Sequence, residues 1–193
     1  MMPIAAVGDK VFEWLVVIDE ERCQRVAAAG CRWCGGPLHR SDYPRKPRGG
    51  VLAAGGEGFY RRLSLCCGWE GCRRRSTPPS VRFLGRRVYL GAAVILASMA
   101  SQALTTARAV KRATGIPART VGRWRAWWQT GFAKSRLYEE QGGRFLPPLT
   151  IAELPASLVE RFDRGGGDAS TALVCTLGFV SPLTTTSVAG HDS

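Results

Sequence analysis

The sequence predicts a mainly α-helical chain with one small β unit near its front and a flexible segment at its end. Three observations predict this. Two close cysteine pairs are separated by 32 residues, two apolar stripes at helical spacing flank a Gly-Ile-Pro turn, and the C-terminus is rich in Gly, Ser and Thr.

With 193 residues, 45% of them hydrophobic, the chain can build one ordinary domain or two small ones around a packed core. Residues 1–30 form the first unit. Val11 to Ala28 reads as an amphipathic helix with Val11, Leu15, Ile18 and Val26 apolar, expected to pack against the cysteine-bearing unit despite its acidic patch Asp19-Glu20-Glu21. No basic leader precedes an apolar run. The longest apolar stretch, Leu90 to Leu104, falls short of the roughly 20 residues that a bilayer span needs. A cytoplasmic protein without a membrane partner is expected.

Residues 31–89 carry the cysteines. Without an export signal, seven cysteines argue against a disulfide framework, because cytosolic thiols stay reduced. Cys31 and Cys34 make a C-x2-C pair, and Cys67 and Cys72 make C-x4-C, with Cys66 an alternative to Cys67. A tight turn between paired cysteines lets two thiolates converge on one Zn2+, and two such turns complete a tetrahedral, structural site. If the strand "FYRRLSL" alternates through Leu63 and Leu65, Cys67 shares their face and Cys66 the opposite one. His39 is a further candidate ligand, more readily read as a loop histidine. Cys23 and Cys175 lack partners at ligand spacing and read as ordinary buried or tail thiols. Knuckle, Pro/Gly-rich loop, strand and knuckle make a zinc ribbon.

Arg73, Arg74 and Arg75 follow the last cysteine directly, and Arg82, Arg86 and Arg87 continue the run. Planar guanidinium forks suit phosphate oxygens, so these side chains are expected to clamp a polyanion backbone rather than read its sequence. Residues 90–137 read as a helix-turn-helix domain. A short helix from Thr106 to Thr114 has Ala109, Val110 and Ala113 inward, Gly115 breaks it, and a second helix runs from Ala118 to Gln129. Val121, Trp124 and Trp128 form the core stripe of that second helix. Arg119, Thr120 and Arg123 are left to face the major groove of duplex DNA. The apolar helix from Tyr89 to Leu104 supplies the third member of the unit.

Residues 138–163 read as a short helical extension, starting near Thr150 with Leu154, Leu158 and Phe162 as its stripe. Residues 164–193 read as a flexible tail. The fold class is therefore mainly α with a small β zinc ribbon, a helix-turn-helix domain and a flexible C-terminal tail.

Charge points the same way. Net charge is +12, and the excess is central: residues 31–90 hold +10 and residues 91–137 hold +8 with no acidic residue, between flanks of −2 and −4. Catalytic signatures are missing. Strand transfer needs clustered carboxylates for two metal ions, and residues 31–137 offer only Asp42, Glu57 and Glu70. No Walker loop, H-E-x-x-H or nucleophile elbow occurs. The chain is not expected to be an enzyme.

The order of cysteine knuckles, arginine run, apolar helix and "TGIPARTVGRW" resembles the zinc-ribbon plus helix-turn-helix modules at the front of bacterial insertion-sequence transposases. It also looks like small accessory proteins of mobile elements in GC-rich bacteria. The resemblance covers roughly residues 23–162. It implies binding to element ends or regulation of transposition, with strand chemistry left to a separately encoded transposase. The C-x4-C knuckle and the long loop depart from the commoner ribbon with paired C-x2-C. A transcription regulator or another nucleic-acid-binding protein is the alternative reading, and a fragment of a catalytic transposase is the third.

Overall fold

The computed structural model describes residues 9–45, 56–84, 89–102, 104, 106–163 and 168–184. It is mainly helical, with three small antiparallel sheets. The long helix α1 (Asp9–Ala29) opens the chain. Its buried residues Val11, Phe12, Leu15, Asp19 and Cys23 form one stripe at helical spacing, so one face lies inward along most of its length.

Seven short strands follow among the described residues. β1 (Leu38–Arg40), β4 (Leu65–Cys67) and β5 (Arg75–Ser76) make the central sheet in the order β1-β4-β5, with Leu38 opposite Cys67 and Cys66 opposite Arg75. β2 (Tyr43–Pro44) pairs with β3 (Arg61–Arg62), and β6 (Phe83–Leu84) with β7 (Tyr89–Leu90). A one-turn helix, α2 (Gly56–Phe59), leads into β3. A small hydrophobic cluster of Cys23, Leu63 and Leu65, with Val26, Ala27 and Leu38 against it, lies beneath the central sheet. The far half of α1 therefore packs on the cysteine unit, and its near half enters a much larger core.

That larger core is helical. α3 (Gly91–Ala100) is buried nearly all round, as a helix with no polar face must be. α4 (Ala107–Thr114) begins at Thr106, whose side chain accepts a hydrogen bond from the Ala109 amide. It ends at Gly115, where φ is +71°, a left-handed conformation that glycine adopts at least cost. α5 (Ala118–Ala126) follows within three residues and buries Val121 and Trp124. α-helical geometry stops at Ala126 rather than reaching Gln129. A π-helical turn, Trp127–Phe132, takes over and places Trp128 and Phe132 fully in the core. On α4 the inward positions are Val110 and Thr114; Ala113 is exposed, contrary to the expectation from spacing. Thr114 replaces it because its hydroxyl donates to the Val110 carbonyl and also accepts from the Ile116 amide, which ties the turn down.

α6 (Arg136–Gln141) is a short surface helix, and α7 (Ala156–Phe162) starts six residues after Thr150, a 3-10 turn at Ile151–Glu153 coming first. Leu154 and Leu158 are buried as the spacing predicts, while Phe162 is half-buried against Phe145 and Phe179. The largest departure is at the end of the chain. Residues 168–184 are not a flexible tail. α8 (Ala169–Val180) is capped by the Asp168 carboxylate, which accepts from the Ser170 amide, and it buries Ala172, Leu173, Thr176, Leu177 and Val180. Its Leu177 approaches Gly91 so closely that a Cβ there would lie 2.6 Å from the leucine methyl. The rest of the expected tail, residues 164–167 and 185–193, lies outside the described residues.

Two ion pairs connect α1 to the sheets. Asp19 and Arg82, each about 1% exposed, meet at 2.8 Å, and Asp19 also accepts from the Ser80 hydroxyl and the Val81 amide. Glu20 accepts two bonds from Arg40 on β1 at the surface. No described helix is long and apolar enough to cross a membrane.

Candidate metal centre and basic surface

The first knuckle grows out of the end of α1. Gly30 follows the helix, and Cys31 then starts a turn in which the Cys34 and Gly35 amides donate to its carbonyl at 3.3 and 2.7 Å. The second is built from the end of β4: the Gly68 amide donates to the Pro37 carbonyl, and the Cys72 and Arg73 amides both donate to the Trp69 carbonyl. The two turns face each other across the β1–β4 pairing, since Leu38 lies opposite Cys67.

Four sulfurs meet between them. The Sγ atoms of Cys31, Cys34, Cys67 and Cys72 all lie within 4.8 Å of one another, with Cys31–Cys72 at 3.7 Å and Cys34–Cys67 at 3.4 Å. A zinc ion bonded to four thiolates at about 2.3 Å has sulfur–sulfur edges of about 3.8 Å, so the cluster is compatible with a tetrahedral metal site after small side-chain adjustments. It is far too open for a disulfide, whose sulfurs sit at about 2.05 Å.

Cys66 does not join the cluster. β4 alternates, with Leu65 and Cys67 buried and Cys66 half-buried, and the Cys66 thiol faces the carbonyls of Cys67 and Arg73 at 3.8 and 3.4 Å. His39 is also elsewhere: its ring lies over Gly68, where a Cβ would come within 2.5 Å of Nε2. Gly36 lies against the cluster, where a Cβ would sit at contact distance, 3.4 Å, from the sulfurs of Cys34 and Cys67.

Two of the four thiols are shifted in opposite directions. Backbone amides of Trp33 and Cys34 donate to the Cys31 sulfur and bring its pKa down to about 7, the Trp33 amide acting most strongly. At Cys34 the Gly36 amide pulls downward, but burial and the neighbouring sulfurs outweigh it and push the thiol up to about 12.

Around this centre the basic residues divide. Arg73 and Arg74 are exposed. Arg73 takes a φ of +47° and comes within 3.8 Å of Glu70, and the Arg74 guanidinium lies 5.3 Å from the Trp33 ring. Arg75 is tied down, donating to the Ser41 carbonyl and to the hydroxyls of Ser41 and Ser64, so it braces the sheet as well as adding charge. Arg82 leaves the basic surface altogether through its buried pair with Asp19. Arg86 and Arg87 lie outside the described residues.

On α5, Arg119, Gly122, Arg123 and Ala126 form one exposed stripe, opposite buried Val121 and Trp124. Thr120 is half-buried and accepts from Arg123 at 3.4 Å. The preceding helix adds exposed Arg108, Lys111 and Arg112, which helical spacing did not single out although the absence of any acid from 91 to 137 implied them. Two exposed tryptophans, Trp33 and Trp69, were also missed, since a tryptophan in sequence reads as core. No protein-family model matches this chain, and comparison with curated proteins and with solved structures finds no similar protein.

Proposed function

We propose that this chain is a structural-zinc, duplex-DNA-binding protein of a mobile element, acting at element ends or on the control of transposition without performing strand chemistry. In this reading the cysteine unit is a zinc ribbon and α3, α4 and α5 form a helix-turn-helix unit. The observation that carries it is the stripe on α5. Arg119 and Arg123 project from one helical face on which the intervening residues are Gly122 and Ala126, so nothing bulky keeps the helix from a groove.

The division of labour follows from chemistry. Arg119 and Arg123 suit guanine O6 and N7, each such pair supplying about 1–3 kcal/mol of discrimination. Arg73 and Arg74, held on a knuckle that a metal would stiffen, suit phosphate oxygens. The acids support a non-catalytic role: Asp19 is spent on Arg82, and Asp42 on Arg40 and the Ser64 amide. A transposase partner on a separate chain would then supply the metal-binding carboxylates.

Selection of bound duplexes from fragmented bacterial DNA rich in insertion sequences tests the proposal. The expected result is enrichment of terminal inverted repeats flanking a transposase frame. Enrichment of promoters with no such repeats would assign the protein to transcription instead. On the selected site, Arg123→Ala should cost about 1–3 kcal/mol and relax preference at one base pair, whereas Arg74→Ala should flatten the salt dependence and leave preference intact.

A further inference from the structure

We infer that the tip of the cysteine unit is a stacking platform for unpaired bases of single-stranded DNA, with Trp69 as the base-contacting residue and Arg32, Arg73 and Arg74 as phosphate contacts. Trp33 and Trp69, one in each knuckle turn, are 40% and 60% exposed, although burying an indole is among the most favourable things a fold can do. Both are anchored to backbone that the cysteines hold, so their exposure is built into the turns.

The surroundings of the two rings differ. The guanidinium of Arg32 sits 4.2 Å from the Trp33 ring and that of Arg74 5.3 Å from it, so Trp33 holds two cations in place. Trp69 carries no such cation among the described residues. It lines an open cleft of about 450 Å³ whose other walls are Cys34, Gly35, Gly36, Pro37 and Gly68. Three of those residues are glycines with no side chain, and Cys34 is the one wall residue that belongs to the four-sulfur cluster. An open slot with one aromatic face, on turns that also carry the exposed Arg32, Arg73 and Arg74, suits a nucleobase with its flanking phosphates on those arginines. The combination of aromatic face and basic rim is the recurring chemistry of single-strand binding.

A paired base hides its faces inside the helical stack, so duplex DNA cannot use the slot. An unpaired base can. This inference rests on the reading of the chain as a DNA-binding protein, but it uses different residues from those on α5, so the two can fail separately.

The test measures fluorescence anisotropy of the full, zinc-loaded chain with labelled oligothymidylate, and with a labelled duplex, at one salt concentration. Trp69→Ala should weaken oligothymidylate binding about tenfold and duplex binding by less than about twofold, with Trp69→Phe keeping most of the single-strand affinity. Equal losses on both probes, or none on oligothymidylate, would overturn the inference. Binding of the same sequence as RNA more than about tenfold tighter would assign the slot to RNA and overturn the DNA ligand. Polyglutamate competing as well as unlabelled oligothymidylate would reduce the site to a charge patch and overturn it too. Photocrosslinking of the unmodified protein to bromodeoxyuridine-substituted single strands provides a reading free of folding defects. A crosslink at Trp69 is expected, and crosslinks confined to residues 106–132 would rule the platform out.

Discussion

The cysteine unit and the helical unit of this protein are held together by different physics. Among the described residues, Cys23, Leu63 and Leu65 are the cluster buried beneath the central sheet, and the strands there are two or three residues long. The helical unit buries Ile95, Trp128, Phe132, Leu158, Leu173 and many more in one continuous core. Apolar burial is the main stabilising term of a fold, so the first unit draws on a small cluster and the second on an extended one. The difference teaches where each function-bearing surface gets its rigidity. On the zinc reading proposed above, a bound metal would hold the backbone that carries the knuckle arginines and tryptophans, whereas the backbone of α5 is held by the packing of Val121 and Trp124.

The sharpest way to break this comparison is to remove the metal. Structural zinc supplies apparent binding free energies of about 10–16 kcal/mol in small zinc-dependent units, and that energy is folding energy. Chelation, or Cys31→Ser, should abolish zinc binding and unfold the segment around residues 31–76. Helical circular dichroism from the 90–180 region should persist. If retained zinc stoichiometry is found in Cys31→Ser and Cys34→Ser, the four-sulfur centre is wrong. Loss of all helical signal would instead mean that the two units are one cooperative body.

The converse perturbation targets the helical core. Trp128, completely buried between Trp127 and Phe132, should cost about 3–5 kcal/mol when replaced by Ala, because the cavity left by an indole cannot close. Urea unfolding followed by far-ultraviolet circular dichroism measures it. Zinc content of the folded variant should stay at one ion per chain.

How much of this was legible in the sequence differs between the units. Ligand spacing announced the four cysteines, and strand alternation separated Cys67 from Cys66, because both are local properties of the chain. The α4–turn–α5 pair was likewise readable from Gly115 and from the spacing of Val121, Trp124 and Trp128. α8 was not. Its Ala172, Leu173, Thr176, Leu177 and Val180 stripe is helical, but the glycines and threonines around it dominate the composition of that window. Arg82 was misread for a different reason. Its partner Asp19 is 63 residues away, and nothing near Arg82 distinguishes a buried arginine from five others in the run. The exposure of Trp33 and Trp69 is fixed by knuckle geometry, which residue type alone does not encode.

Asp19 lies midway along α1, the helix that contacts both units, so its pair with Arg82 tests how strongly they are coupled. Asp19→Asn keeps the shape but removes the charge opposite Arg82 in a site closed to water. Stripping one partner from such a pair costs about 3–5 kcal/mol, mainly for the guanidinium left uncompensated. Stability measured by urea should fall by roughly that amount in both the zinc-loaded and the zinc-free protein if Arg82 belongs to the helical core. A loss confined to the zinc-loaded form would move the β6 segment, and Arg82 with it, into the cysteine unit.

The weakest link between the units is also the one with a pH signature. Hydrogen bonds from Arg40 hold the Glu20 carboxyl below its ordinary value of 4.5, and partial burial opposes them only in part. A carboxyl with a lowered folded-state pKa stabilises the fold fully above its unfolded pKa, and the contribution disappears as pH falls through the folded one. The Glu20–Arg40 bridge therefore acts at neutral pH and is lost in acid. Because both side chains are largely in water, Glu20→Gln should cost only about 0.5 kcal/mol at neutral pH. Below the folded pKa the variant and the parent should converge, and added salt should shrink the neutral-pH difference. A difference that survives in acid would mean that Glu20 acts through packing of α1 on β1, and that the cysteine unit has more of a core of its own than its three buried residues suggest.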